Sequence, residues 1–183
     1  MEKALLQERK DIKLTGVERK LGREDVIVSK TDLQGKITYA NNVLCRVSGY
    51  SLTELMGAPH SLIRHPGMPR CVFKFLWDTI QSGNECFAYV NNRARNGDNY
   101  WVFAHVTPTF DSKGQIIGYH SNRRAPARSA IEAIEPIYRL LLDIERSSTD
   151  RRLGLEKSFA ALVAYLEKNK VTYDEFIFSI TPN

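Results

Sequence analysis

Residues 87–124, FAYVNNRARNGDNYWVFAHVTPTFDSKGQIIGYHSNRR, decide the fold. Phe87 to Arg93 reads as a strand, rich in aromatic and β-branched residues. Asn96-Gly97-Asp98 is a hairpin turn, since Asn-Gly supplies the positive φ angles a tight turn needs. Tyr100 to Thr107 returns as a second strand, Asp111 to Gly114 turns again, and Gln115 to Arg123 is the third. On the middle strand Tyr100, Val102, Ala104 and Val106 share one face, while Trp101, Phe103 and His105 share the other. Both faces carry apolar bulk, whereas a sheet with one solvated face would be polar there. The second face is therefore expected to be covered by N-terminal helices, C-terminal helices or another subunit.

Immediately upstream lies Leu62 to Trp77, LIRHPGMPRCVFKFLW. Pro66, Gly67 and Pro69 cannot sit inside a helix or central strand, because proline lacks an N–H and fixes φ. Arg64 and His65 are thus held on a stiffened turn. The apolar run Cys71, Val72, Phe73, Phe75, Leu76 and Trp77 reads as a buried short helix ended by Gly83. A cationic turn beside an aromatic helix suits a flat ring system with polar edges or phosphates; a surface turn capping a core helix explains the same residues.

Further upstream, Val26-Ile27-Val28 and Ile37-Thr38-Tyr39 form a hairpin around Asp32 to Lys36. Ala40-Asn41-Asn42 starts a helix that Gly49 stops. Ser51-x-x-Glu54 is a capping box for another. Residues 1–24 have thin apolar spacing and read as an N-terminal helical cap. Beyond Ala125, Ile131, Ile134, Tyr138, Leu141 and Leu142 recur at helical spacing, with a break or a new start expected at Pro136. A second helix carries Leu155 to Leu166, and Thr172-x-x-Glu175 caps a third.

Composition bounds the classes. The chain has 183 residues, is 43% hydrophobic and carries net charge +5. The cations are scattered, with no concentrated basic stripe of the kind nucleic acid requires. No run approaches the roughly 20 apolar residues of a membrane span, and the N-terminus has no signal-peptide core. A soluble, cytoplasmic protein is expected. Cys45, Cys71 and Cys86 are odd in number without CxxC spacing, so buried thiols are expected rather than disulfides or a structural zinc site. No nucleophile triad, phosphate-binding glycine loop, HExxH or paired-carboxylate motif is present, so no enzymatic activity is expected.

In order, DLQGKITYAN, SGYSLTELMGAPH, RHPGMP, FKFLW, NRARNGDNYWV and GQIIGYHSNRR resemble the PAS domain of bacterial aerotaxis receptors. The flavin-carrying PAS domain of a nitrogen-fixation regulator is similar but more distant. The resemblance implies an α+β PAS fold over residues 25–124: a five-stranded antiparallel sheet with short helices on one face. The segments 1–24 and 125–183 would flank it as helices. It also implies a sensor that holds flavin adenine dinucleotide (FAD) and reports redox or oxygen state. Such a sensor would act as a homodimer or through a chemotaxis- or kinase-type signalling partner. Carried over by motif position, Asn41 would lie near the cavity, and Arg64 and His65 would steady the cofactor. Phe73 and Trp77 would pack on its rings, and Asn92 would hydrogen-bond the isoalloxazine edge. Gly67 stands where the family usually has an acidic residue, and Cys86 where it usually has tryptophan. A smaller flavin, a cofactor-free interaction module, and a haem gas sensor ligated by His60 or His65 stay open as alternatives.

Overall fold

The computed structural model describes residues 2–182. Strands β1 (Ile27–Thr31), β2 (Ile37–Ala40), β3 (Cys86–Arg93), β4 (Asn99–Phe110) and β5 (Ile116–Arg124) form one antiparallel sheet of order β2-β1-β5-β4-β3. The turn forms where expected, but of Asn96-Gly97 only Gly97 takes a positive φ, +96°; the Gly97 N–H donates to the Ala94 carbonyl and the Ala94 N–H to the Asp98 carbonyl, so the loop needs one left-handed residue and not two. Strand β4 runs on through Pro108, past the last β3 pair at Cys86–Val106, where it has a neighbour on one side only. Proline is tolerated in such a place because no second ladder depends on it.

Helices α1 (Glu2–Asp11), α2 (Asn42–Ser48), α3 (Leu52–Leu55) and α4 (Arg70–Gln81) precede β3, with a 3₁₀ turn at His60–Ile63. Both ends of α2 and the start of α3 obey their local signals. Asn41 caps α2, Gly49 closes it with φ 73°, and Ser51 and Glu54 complete a capping box. Leu44, Leu55, Leu62 and Ile63 are fully buried and pin these short pieces to the sheet. Truncating one such leucine to alanine costs about 2–5 kcal/mol in comparable cores.

The outer face is covered from the C-terminal side. Helices α5 (Arg128–Ser147), α6 (Arg151–Asn169) and α7 (Tyr173–Ser179) follow β5 and lap over the β3 edge. Tyr138 stacks 6.4 Å from Trp101 and its hydroxyl donates to the Tyr89 carbonyl. Phe178 meets Phe87 at 4.8 Å, and the Tyr89 and Thr181 hydroxyls are 2.6 Å apart. An edge strand is thereby blunted against further pairing. The N-terminal segment goes elsewhere: Thr15 and Arg19 donate backbone hydrogen bonds to Gly97 and Asn99. Their side chains also bond Asp98, and with Asn96 they hold its carboxyl down at about 2.

Helix α5 does not break at Pro136 but runs unbroken from Arg128 to Ser147. An interior proline frees one carbonyl, here that of exposed Glu132, which water can satisfy. Burial of Ile131, Ile134, Tyr138 and Leu141 on one face holds the helix together across that gap. No helix among the described residues is long and apolar enough to cross a membrane.

Gly154 sets how closely α6 crosses α5: a Cβ there would lie 2.6 Å from the Glu145 carbonyl oxygen. Gly154→Ala would gain about 1 kcal/mol of helix propensity but force two backbones apart, at about 1–3 kcal/mol. A lower urea midpoint is the expected outcome; a raised one would show that the crossing has slack.

Candidate functional site

Between the inner sheet face and α4 lies a cavity of about 560 Å³. Alternation along the strands decides what faces it. Ser29 and Thr31 of β1, Tyr119, Ser121 and Arg123 of β5, Ala104 and Val106 of β4, and Val90 and Asn92 of β3 all point inward. Helix α4 roofs it with Arg70, Phe73, Lys74, Leu76, Trp77 and Ile80, while His60 and Arg64 close one side. Arg151 and Leu155, from the start of α6, complete the wall.

Of the six residues singled out by the sequence, four meet here. Arg64 lies with its guanidinium carbon 3.9 Å from the Phe73 ring centroid, and its Nη2 donates to the Met68 carbonyl at 3.0 Å. Burial, helped by Arg9, Arg70 and Arg151 against Glu145, pushes its pKa down to about 10, so it stays a cation at neutral pH. Arg9 holds the same turn from outside, donating to the Leu62 and Arg64 carbonyls. Trp77 stands edge-on to Tyr119, with centroids 5.3 Å apart. Asn92 is buried, and its side-chain NH₂ has no hydrogen-bond partner. An orphaned buried donor costs about 1–3 kcal/mol, so one aimed into a cavity marks a place for an acceptor.

Asn41 lies off the cavity, and His65 lines only the adjoining one. Asn41 spends its amide on the fold: Oδ1 accepts from Val28 N–H and Leu44 N–H, and Nδ2 donates to the Val26 carbonyl. His65 folds back on its own turn, where Nδ1 accepts from Gly67 N–H at 3.0 Å. The slot beside Gly67 is therefore filled: a Cβ there would sit 2.9 Å from the imidazole. Cys71 and Cys86 are buried thiols, pushed by burial up to about 11 and 12.

Two polar groups of the cavity, Arg123 and Ser29, were not singled out by the sequence, and a third, His60, was named only as a possible haem ligand. Arg123 is fully enclosed and donates through Nη2 to Ser29 Oγ, while Nε and Nη1 have no partner. His60 Nε2 lies 3.3 Å from the same Ser29 oxygen, and burial together with Arg123 pushes its pKa down to about 3, keeping it neutral. An arginine at an inward-facing strand position was the available signal, because Tyr119, Ser121 and Arg123 share one face. No Asp or Glu lines the cavity among the described residues, although Arg64, Arg70, Lys74, Arg123 and Arg151 do. An adjoining cavity of about 470 Å³ shares Ser61, Arg64, Arg70 and Arg151 with it.

The roof helix receives its cap from far along the chain. Pro69 offers α4 no side-chain cap. Instead Glu145 of α5 accepts from the Cys71 N–H at 2.9 Å and pairs with Arg70 Nε at 3.0 Å. Ser158 of α6 donates to the same carboxylate at 3.0 Å. The carboxylate also suits the positive end of the α4 dipole.

A five-stranded antiparallel sheet under a helical roof, with a polar-ended hollow between, defines the class of small α+β domains with an interior pocket. Residues 37–123 match the family model described as PAS fold, so this stretch of the chain is a PAS domain. It is 43% identical over 121 residues to the aerotaxis receptor of Escherichia coli (strain K12), which covers 66% of this chain and 24% of the receptor. It is 28% identical over 175 residues to the nitrogen fixation regulatory protein of Klebsiella pneumoniae, covering 96% of this chain and 33% of that one. The chain thus spans a quarter to a third of these two relatives' lengths, 24% and 33%. Among solved structures, a light-oxygen-voltage domain studied with a flavin analogue superposes with TM-score 0.53 at 16% identity, over 67% of this chain and 87% of that one. That likeness concerns the fold alone.

Proposed function

We propose that this chain is a flavin-binding PAS sensor that reports redox or oxygen state through its flanking helices. The observation that carries the reading is the hollow itself: about 560 Å³, aromatic and apolar in the middle, with unpartnered hydrogen-bond donors and cations at its ends. Ligand sites of 300–1,000 Å³ with a few converging polar groups follow this plan. A flavin supplies a planar redox-active ring with carbonyl edges, and a nucleotide form adds phosphates. Asn92 would donate to a ring-edge carbonyl, while Phe73 and Trp77 would pack on ring surfaces. Arg64, with Arg70 and Arg151 beside it, would take the phosphates, and the adjoining cavity leaves room for the remainder of a dinucleotide such as FAD. The aerotaxis and nitrogen-regulatory relatives are consistent with a sensory role.

Signal would leave through the roof. Helix α4 touches the cavity on one side and Glu145 and Ser158 on the other, so a shift of α4 moves the α5–α6 pair. That pair, with α7, is the surface for a second copy or a chemotaxis- or kinase-type signalling partner.

The test begins with the purified protein. Heat-released flavin should approach one equivalent per chain, identified as dinucleotide or mononucleotide by chromatography. Ala104→Phe, which fills the hollow from β4, should weaken flavin binding about 100-fold, near 2.8 kcal/mol, with the thermal midpoint kept. Protein that stays colourless after refolding with FAD would sink the flavin reading. A haem absorbance band abolished by His60→Ala would replace it.

A further inference from the structure

We infer that Arg123 makes this cavity favour the negatively charged form of the ring it holds over the neutral form, and so sets the ring's reduction potential. The inference rests on the flavin reading. Arg123 sits on the inner face of β5, paired across to Ile27 of β1 and Ala104 of β4, and is 2% exposed. Its polar neighbours are neutral. Ser29 accepts from Nη2; His60 reaches the same oxygen and stays uncharged; the Tyr100 hydroxyl, buried nearby, has no partner of its own. Two guanidinium nitrogens remain unpartnered, and no carboxylate shares the cavity among the described residues.

A buried cation without a counter-charge costs several kcal/mol. Burial lowers the Arg123 pKa only to about 10, so the charge persists at neutral pH. The other cations of the wall differ. Arg70 is paired with Glu145, and Arg64 lies over Phe73 beside the second cavity. Arg123 is the one fully enclosed, and in a low-dielectric interior its charge reaches further than it would in water. An oxidised flavin ring is neutral. On taking two electrons and one proton from a reductant such as dithionite it carries one negative charge, which Arg123 would balance.

The test is the midpoint potential of the bound flavin, measured against a reference dye under anaerobic dithionite reduction. In Arg123→Gln the affinity for reduced flavin relative to oxidised should fall about tenfold, which lowers the midpoint by about 30 mV for a two-electron couple. Arg123→Lys keeps the charge and should stay near the wild-type value. Ser29→Asp carries the test if Arg123→Gln does not fold, because a carboxylate at Ser29 would neutralise Arg123 in place and should lower the potential in the same direction. Retained flavin with an unchanged potential in Arg123→Gln or Ser29→Asp overturns the inference and leaves the flavin reading standing. So does a lysine variant that falls as far as glutamine. Wild-type protein that binds no flavin overturns both.

Discussion

Glu145→Ala should lower the unfolding free energy by about 3 kcal/mol and the thermal midpoint by roughly 6–12 °C. Glu145 is 6% exposed and serves three groups: Arg70, the Cys71 N–H and Ser158. Alanine would strand the Cys71 amide, which is buried and has no local cap. Losing a cap costs about 1 kcal/mol, and an unsatisfied buried donor about 1–3. Arg70, whose side chain is 21% exposed, would recover part of its solvation, which keeps the total below the upper range for buried ion pairs. Glu145→Gln keeps an acceptor for Cys71 and should lose about half as much. Because α4 roofs the cavity, amide exchange in its first turn should speed up in both variants. Unchanged exchange there, with α5–α6 destabilised alone, would disconnect the helical pair from the roof.

Asn92→Ala should behave in the opposite way, losing ligand while keeping the fold. Its NH₂ has no partner in the protein, so removing it relieves an unsatisfied donor and should leave stability within about 1 kcal/mol. A flavin bound through that donor should lose about 10–100-fold in affinity, at 1.4 kcal/mol per factor of ten. Isothermal titration of the refolded apoprotein measures it. Full flavin affinity in a well-folded Asn92→Ala protein would remove Asn92 from the site and loosen the case for the ring's orientation.

Much of the fold was legible because its signals are local. The turn at Gly97, the Ser51–Glu54 and Thr172–Glu175 capping boxes and Gly49 each act within four residues, and each forms where the sequence puts it. Alternation in β4 placed Ala104 and Val106 inward and Trp101 and Phe103 outward for the same reason. The site was only half legible. Arg64, Phe73, Trp77 and Asn92 meet around one cavity, but Asn41 is used up as a helix cap and a cross-strand tie, and His65 closes its own turn on the wall of the adjoining cavity. Motif position carries a residue to the right neighbourhood; which way its amide or imidazole turns depends on competing partners nearby.

The amino-acid order alone determined the strands, their turns, the short capped helices and a proline-stiffened turn before an aromatic helix, since each depends on backbone preferences of adjacent residues. Only the tertiary structure decided that Arg123 would be enclosed without a carboxylate, that α5 would pass through Pro136 unbroken, and that α4 would take its cap from a glutamate 74 residues past Cys71. Those outcomes are set by what the folded sheet and helices bring within a few ångströms of one another, and no periodicity in the chain encodes such distances.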